Sequence, residues 1–394
     1  MSAIVAADEP HGSRIAADAV EDGVVVAALV RPGDLVAAVG DASSRVWEAL
    51  RDADTVILHA TRTVLTPEVI AMCDRSGARI VALADRAAER RAVAAFGLPA
   101  ALPLDAGGAE IRAAVESRAL ATEAVPSGAQ PRGRVTVVWG PHGSPGRTTI
   151  ALALSAALAR RGERVALVDA DTHAPSIAQR LDLPDEAPGF PAACRQTDYG
   201  VLDPHELTRL SAPVDLGEHP IEVLTGINRP SRWPELSAQR VASALDVARD
   251  WAEHVIVDVG APLETDEEIA SDIDAPRRNA AALAAVAAAD GLLAVAAADP
   301  VGIARFVRGL ARLDEVAPST PRTPVVNRMR SGPFGVDGPG QVRQALGRYA
   351  DVEAAWFLPD DPRAADAALL ASRPVLPRRR APLAHAVGRL AATL

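Results

Sequence analysis

The stretch RVTVVWGPHGSPGRTTIALALSAALARRG, residues 134–162, decides the fold. An apolar strand, Val135–Trp139, runs into a loop that carries Gly140, Gly143 and Gly146. The loop opens a helix with apolar positions Ile150, Leu152, Leu154, Ala157 and Leu158, ended by Gly162. Glycines let successive backbone N–H groups wrap an anion, and a helix N-terminus adds partial positive charge at the same point. Phosphate is the ligand such a turn suits. Thr148 falls where a phosphate-binding loop places its Mg²⁺-holding hydroxyl, and Thr149 can donate to a phosphate oxygen. The pattern G-x-x-x-x-G-K-[ST] is met as GPHGSPGRT with two departures. Counted back from Arg147, the first glycine falls on Pro141, beside Gly140, and arginine replaces lysine. A Gly/Pro-rich strand-to-helix turn with no ligand is the alternative.

Downstream, strand candidates follow at RVALVD (164–169), IEVL (221–224), HVIVDV (254–259), GLLAVAA (291–297), TPVVN (323–327) and AAWFL (354–358). Near-continuous apolar runs are expected of parallel strands covered on both faces. Residues 134–394 are therefore expected to form an α/β, doubly wound, mainly parallel sheet of the P-loop NTPase class. A Pro-rich insertion, roughly 184–220, interrupts the pattern. Upstream, residues 22–115 alternate VVVAALV, LVAAVG, TVILHA, RIVALA and AALPL with helical patterns, which predicts a smaller α/β domain. Residues 1–21 read as a disordered start and 116–133, ESRALATEAVPSGAQPRG, as a linker.

Composition narrows the chemistry. The chain has 394 residues, and all 41 of its Lys+Arg are arginine. That excludes lysine Schiff bases and lysine general bases. A formal charge of −10 gives no strong nucleic-acid signal, because nonspecific DNA affinity needs a basic surface. Cys73 and Cys194 are the only cysteines and the histidines are scattered, so neither a disulfide framework nor a zinc site is expected. The acidic N-terminus lacks the apolar core of a secretory signal, and Ala280–Ala298 is broken by Asp290 and Gly291. A cytoplasmic protein is the expectation.

Four strand ends deliver polar side chains. RVALVDADTHAPS (164–176) ends in Asp169 and Asp171, which could cap the next turn or serve the phosphate site. HVIVDVGAP (254–262) carries Asp258 to the sheet's C-terminal edge, where a carboxylate can hold Mg²⁺ through water. TPVVNRMR places Asn327 after a late strand, and FLPDD adds Pro359 and Asp361. The acidic run from Glu264 to Asp274 reads as a solvated loop or an interaction face.

These motifs carry a resemblance. His142-Gly143-Ser144-Pro145-Gly146-Arg147-Thr148-Thr149 resembles the deviant Walker A, KGGxGKTT, of the MinD/ParA family. There the first lysine reaches across an ATP-sandwiched dimer and the second is the ordinary Walker lysine; this chain has His142 and Arg147 instead. The resemblance implies ATP and Mg²⁺ as cofactors, held by Gly143 to Thr149, with Thr148 and Asp258 at the metal. It implies catalytic roles for Asp171, Asp169 and Arg147, and a base pocket at Asn327, Pro359 and Asp361. Gly260-Ala261-Pro262 is similar to the family's switch II. LTGINRPSRWPEL (224–236), the segment 263–290 and DPVGIARFVRGL (299–310) are similar to the actinobacterial CpaE/TadZ branch. In that branch the N-terminal domain is receiver-like. The candidate third strand, DTVILHATRT, ends in His59-Ala60 rather than in a phosphoaccepting aspartate, which implies a pseudo-receiver that docks a protein partner; a stabilising lobe is the alternative.

The C-terminal PRRRAPLAHAVGRLAATL (377–394) sets Leu383, Val387, Leu390 and Leu394 on one helical stripe behind Arg378 to Arg380. Two roles stay open: a weak peripheral membrane contact at the inner face of the membrane, or docking on the domain's own sheet. The expected function is an ATP-binding, homodimerising regulator of pilus or division machinery with slow or absent hydrolysis. A nucleotide-free scaffold and a ParA-type partition ATPase are the alternatives.

Overall fold

A computed structural model describes residues 2–39, 41, 44–61, 63–86, 89–90, 92–93, 96, 98–116, 132–215, 220–264, 277–332, 335, 337–376 and 381–394. Two sheets form. The first contains β1 (Ser2–Ala6), β2 (Val25–Val30), β3 (Thr55–His59) and β4 (Arg79–Leu83), all parallel, in the order β2-β1-β3-β4. That is the doubly wound order shared by flavodoxin-like folds.

Two expectations fail here. Residues 2–21 are ordered: β1 is a central strand, and the helix His11–Glu21 packs Ile15 and Ala19 beneath it. The apolar run of β1 is short and followed by acidic residues, so it carries too little periodicity to stand out. LVAAVG is no strand either, because Pro32 starts a helix, Pro32–Ala38, that absorbs Leu35 and Ala38 into the core. AALPL contributes only a bridge, Leu83 to Leu102. Most of the expected linker lies outside the described residues.

The second sheet holds β5 (Arg134–Trp139), β6 (Val165–Ala170), β7 (Ala212–Val214), β8 (Ile221–Leu224), β9 (His254–Val259), β10 (Gly291–Ala297), β11 (Arg322–Met329) and β12 (Trp356–Pro359). Its order is β12-β11-β10-β5-β9-β6-β8-β7, parallel except for the antiparallel edge pair β7–β8. The central strands are buried along their length, which explains their unbroken apolar sequences. The Pro-rich insertion is structured, with helices Gly189–Asp198 and Pro204–Leu210, the second capped by Asp203 onto the Glu206 N–H at 2.7 Å.

The C-terminal helix Pro382–Ala391 resolves its open alternative. Leu383, Val387 and Leu390 are buried in the same core as Ile150, Leu154 and Leu158 of the helix Arg147–Ala159. Its apolar stripe packs on the domain, and Arg378 to Arg380 lie outside the described residues. Arg134 Nη1 donates to the Leu394 carbonyl at 2.7 Å. Among the described residues, no helix is long and apolar enough to cross a membrane.

The two sheets meet across a buried charged seam. Arg240 reaches Asp74 at 3.0 Å and Asp198 at 2.6 Å, while Tyr199 Oη donates to the Ile80 carbonyl at 2.8 Å. Arg195 and Arg232 both pair with the fully buried Glu235; Arg195 also donates to the Phe96 carbonyl, and Arg232 lies over the Phe96 ring. Cys73 and Cys194, the sequence neighbours of Asp74 and Arg195, are buried free thiols.

Candidate functional site

Strand β5 ends in the loop Gly140–Gly146, and its shape explains its glycines. Gly143 and Gly146 have φ of +107° and +103°, and Ser144 between them has φ of +51°. Left-handed residues turn their N–H groups inward and build an anion-binding nest. A Cβ at Gly140 would come within 2.4 Å of the Val295 carbonyl oxygen, so β10 fixes the loop's base. The helix Arg147–Ala159 starts on Gly146, aiming its N-terminus into the nest.

Register assembles the carboxylates. β6 and β9 are adjacent, and Asp169 pairs with Asp258 across them. Thr148 Oγ1 donates to Asp258 Oδ2 at 2.6 Å, whereas Asp258 Oδ1 is buried without a hydrogen-bond partner among the described residues. Burial, then the neighbouring Asp169, pushes the Asp258 carboxyl well above the ordinary range, against the lowering effect of the Thr148 hydrogen bond. Asp169 is raised mainly by burial, opposed by the N–H groups of Ile177, Asp171 and Ser176 that it accepts. Asp171 Oδ1 accepts from the His173 and Ala174 N–H groups at 2.8 and 2.9 Å. The turn-capping role and placement beside the loop thus coexist in the same aspartates.

Arg147 lies inside its own loop, donating from Nη1 to the Gly140 carbonyl at 2.8 Å, with Nη2 at 3.6 Å from Asp171 Oδ2. Thr149 Oγ1 accepts from Arg180 at 3.4 Å. Asn327 Nδ2 donates to the Pro145 carbonyl at 2.8 Å, so the amide expected at the base braces the loop. Pro359 ends β12, and Asp361 accepts from the Ala364 N–H at 3.1 Å and from the Leu383 N–H at 3.4 Å. Asp361 therefore joins the start of the helix Pro362–Leu370 to the C-terminal helix. His142 is exposed at the loop's rim.

Sequence reasoning missed three residues. His173 Nε2 pairs with Asn279 Oδ1 at 2.8 Å, and Asn279 in turn donates to the Glu264 carbonyl at 2.9 Å, tying the Asp171 turn to both flanks of the acidic segment. Residues 265–274 of that acidic run lie outside the described residues. The third is Arg305, whose guanidinium reaches Gly143: a Cβ there would meet its Nη1 at 2.5 Å. Only the adjacency of His173 to the Asp-x-Asp segment was a signal in sequence.

The residues fit a nucleotide with Mg²⁺. The nest suits phosphate, and Thr148 with the unpartnered Asp258 Oδ1 suits a cation that takes few protein ligands and completes its shell with water and phosphate. Among the described residues, no three His, Cys, Asp or Glu side chains converge as a self-sufficient metal cage.

Residues 136–365 match the model of the CobQ/CobB/MinD/ParA nucleotide binding domain. The chain belongs to that family. Among curated proteins, no sequence matches it. Among solved structures, it is similar to the cell division ATPase MinD of Pyrococcus furiosus, with a TM-score of 0.51 at 17% identity, covering 66% of this chain and 97% of that one. The septum site-determining protein MinD of Pyrococcus horikoshii, solved with Mg-ADP, gives 0.51 at 15% identity over 66% and 95% of the two chains. A ParA family ATPase of Chlorobium tepidum gives 0.52 at 16%, covering 66% and 98%. These likenesses show the MinD/ParA-like P-loop fold.

Proposed function

We propose that this member of the MinD/ParA family is an ATP-binding regulator of the CpaE/TadZ type. It controls placement or assembly of a cell-envelope machine, such as a pilus or septum, through nucleotide-dependent dimerisation with slow or absent hydrolysis. The observation that carries this reading is the Thr148–Asp258 pair with its unpartnered carboxylate oxygen, set at the mouth of the left-handed loop. Gly143 to Thr149 hold the phosphates, Thr148 and Asp258 hold Mg²⁺, and Asp171 with Asp169 orders water beside them. When bound, Mg²⁺ neutralises phosphate charge. Arg147 must leave the Gly140 carbonyl and Asp171 to meet a phosphate, and its planar fork in place of a compact ammonium makes binding the safer expectation than turnover.

The N-terminal domain is the partner-docking module. Its β2-β1-β3-β4 order and the His59-Ala60 end of β3 support a pseudo-receiver without a phosphoacceptor there. Isothermal titration of the full chain with ATP and Mg²⁺, followed by light scattering, tests the reading. Saturable heat and a doubling of mass with ATP are expected; no heat at high micromolar nucleotide would falsify it. A nucleotide-free scaffold is the second reading, favoured by Arg147's occupation of its own loop. Binding in the wild type that is abolished in Asp258→Ala rules that scaffold out.

A further inference from the structure

We propose that Arg305 contacts the terminal phosphate of a nucleoside triphosphate bound in the loop. The inference deepens the ATP-binding reading and rests on it. Arg305 lies on the helix Pro300–Val316, outside the phosphate loop and separate from it in sequence. Two glycines bring that helix unusually close. A Cβ at Gly302 would come within 2.5 Å of the Ala297 carbonyl oxygen, and one at Gly309 within 2.6 Å of Trp139 Cη2. Positions 302, 305 and 309 share one helical stripe, so the side chain between the two glycines is the one presented to the loop. The guanidinium reaches the Gly143 backbone, where a Cβ would meet Nη1 at 2.5 Å. Glycine at 143 is required by its φ of +107°, and the arginine's guanidinium lies against its backbone.

Charge argues the same way. Arg147, the loop's own cation, is engaged with Asp171 and two loop carbonyls. A triphosphate adds further negative charge. Arg305 is exposed and makes no hydrogen bond or ion pair among the described residues, so its donors are available. Position along the loop selects the phosphate. Asn327, on the base side in this reading, touches the loop at Pro145 and Gly146, whereas Arg305 touches it at Gly143, the end remote from the base. A planar fork with several donors suits a terminal phosphate with three free oxygens.

The test measures nucleotide affinity, not turnover. ATP and ADP are titrated with Mg²⁺ into the full-length wild type, Arg305→Ala, Arg305→Lys and the control Arg308→Ala, whose wild-type guanidinium bonds its own helix at Ala304. The expected result is an ATP affinity at least about ten-fold weaker in Arg305→Ala, a charge-assisted hydrogen bond's worth, with ADP changed little. Arg305→Lys restores part of the loss, and Arg308→Ala matches the wild type. Unchanged ATP affinity in Arg305→Ala, an equal loss for ADP, or an equal loss in Arg308→Ala overturns the assignment while leaving ATP binding standing. A wild type that binds neither nucleotide overturns the ATP-binding reading, and this assignment with it.

Discussion

At the scale of residues, the site concentrates acid where water is scarce. Asp258 is 1% exposed and its carboxyl is pushed up to about 8, while the unfolded chain titrates it near 3.8. Between those values the folded state holds a proton that the unfolded state releases, so stability falls as pH rises through that window. Below it the difference vanishes, and above it the loss is complete. Asp169 acts in the same direction. Asp290, lowered by Arg249 and the Val135 N–H, runs oppositely, but its effect is confined to the acid side of 3.8. Unfolding free energies from urea titrations between pH 7 and pH 8, without nucleotide, should therefore fall with a slope of up to about 1.4 kcal/mol per pH unit, and Asp258→Asn should flatten it.

At the scale of elements, the C-terminal helix behaves as core. Leu390 is fully buried against the phosphate-loop helix, so Leu390→Ala should cost about 2–5 kcal/mol in chemical denaturation. The full chain should stay in the supernatant when spun with anionic vesicles, because the stripe that would enter them is covered. Elements also show where sequence suffices. The strand-loop-helix at residues 134–162 was legible because its apolar run, glycines and hydroxyls are contiguous and each has a local physical cause. β1 was not, since five residues between a terminus and an acidic turn carry little periodic signal. The pairing of Asp169 with Asp258 and the approach of Arg305 to Gly143 are set by sheet register and helix packing, which no local pattern encodes.

At the scale of the whole molecule, the seam between the sheets is charged yet buried. Arg195, Arg232, Arg240 and Glu235 are all buried although each is a charged residue type. Removing one partner of a buried pair strands the other. Arg240→Ala should therefore destabilise the protein by about 3–5 kcal/mol through Asp74 and Asp198, as seen in the urea midpoint. The same seam reaches the nucleotide site along one short path. Gly226, where a Cβ would lie 2.8 Å from the Asp169 carboxyl carbon, is followed by Asn228 on Arg232 and by Arg229 on Glu68 of the N-terminal domain.

The docked C-terminal helix also orders events during synthesis. Arg134, at the start of the first strand of the large sheet, is tied to Leu394, 260 residues later. The phosphate-loop helix leaves the ribosome long before the segment that covers it, so its apolar side waits bare while the rest of the domain is made. The small sheet, whose strands all precede residue 84, can close first. The cover of the phosphate-loop helix therefore arrives long after the helix itself.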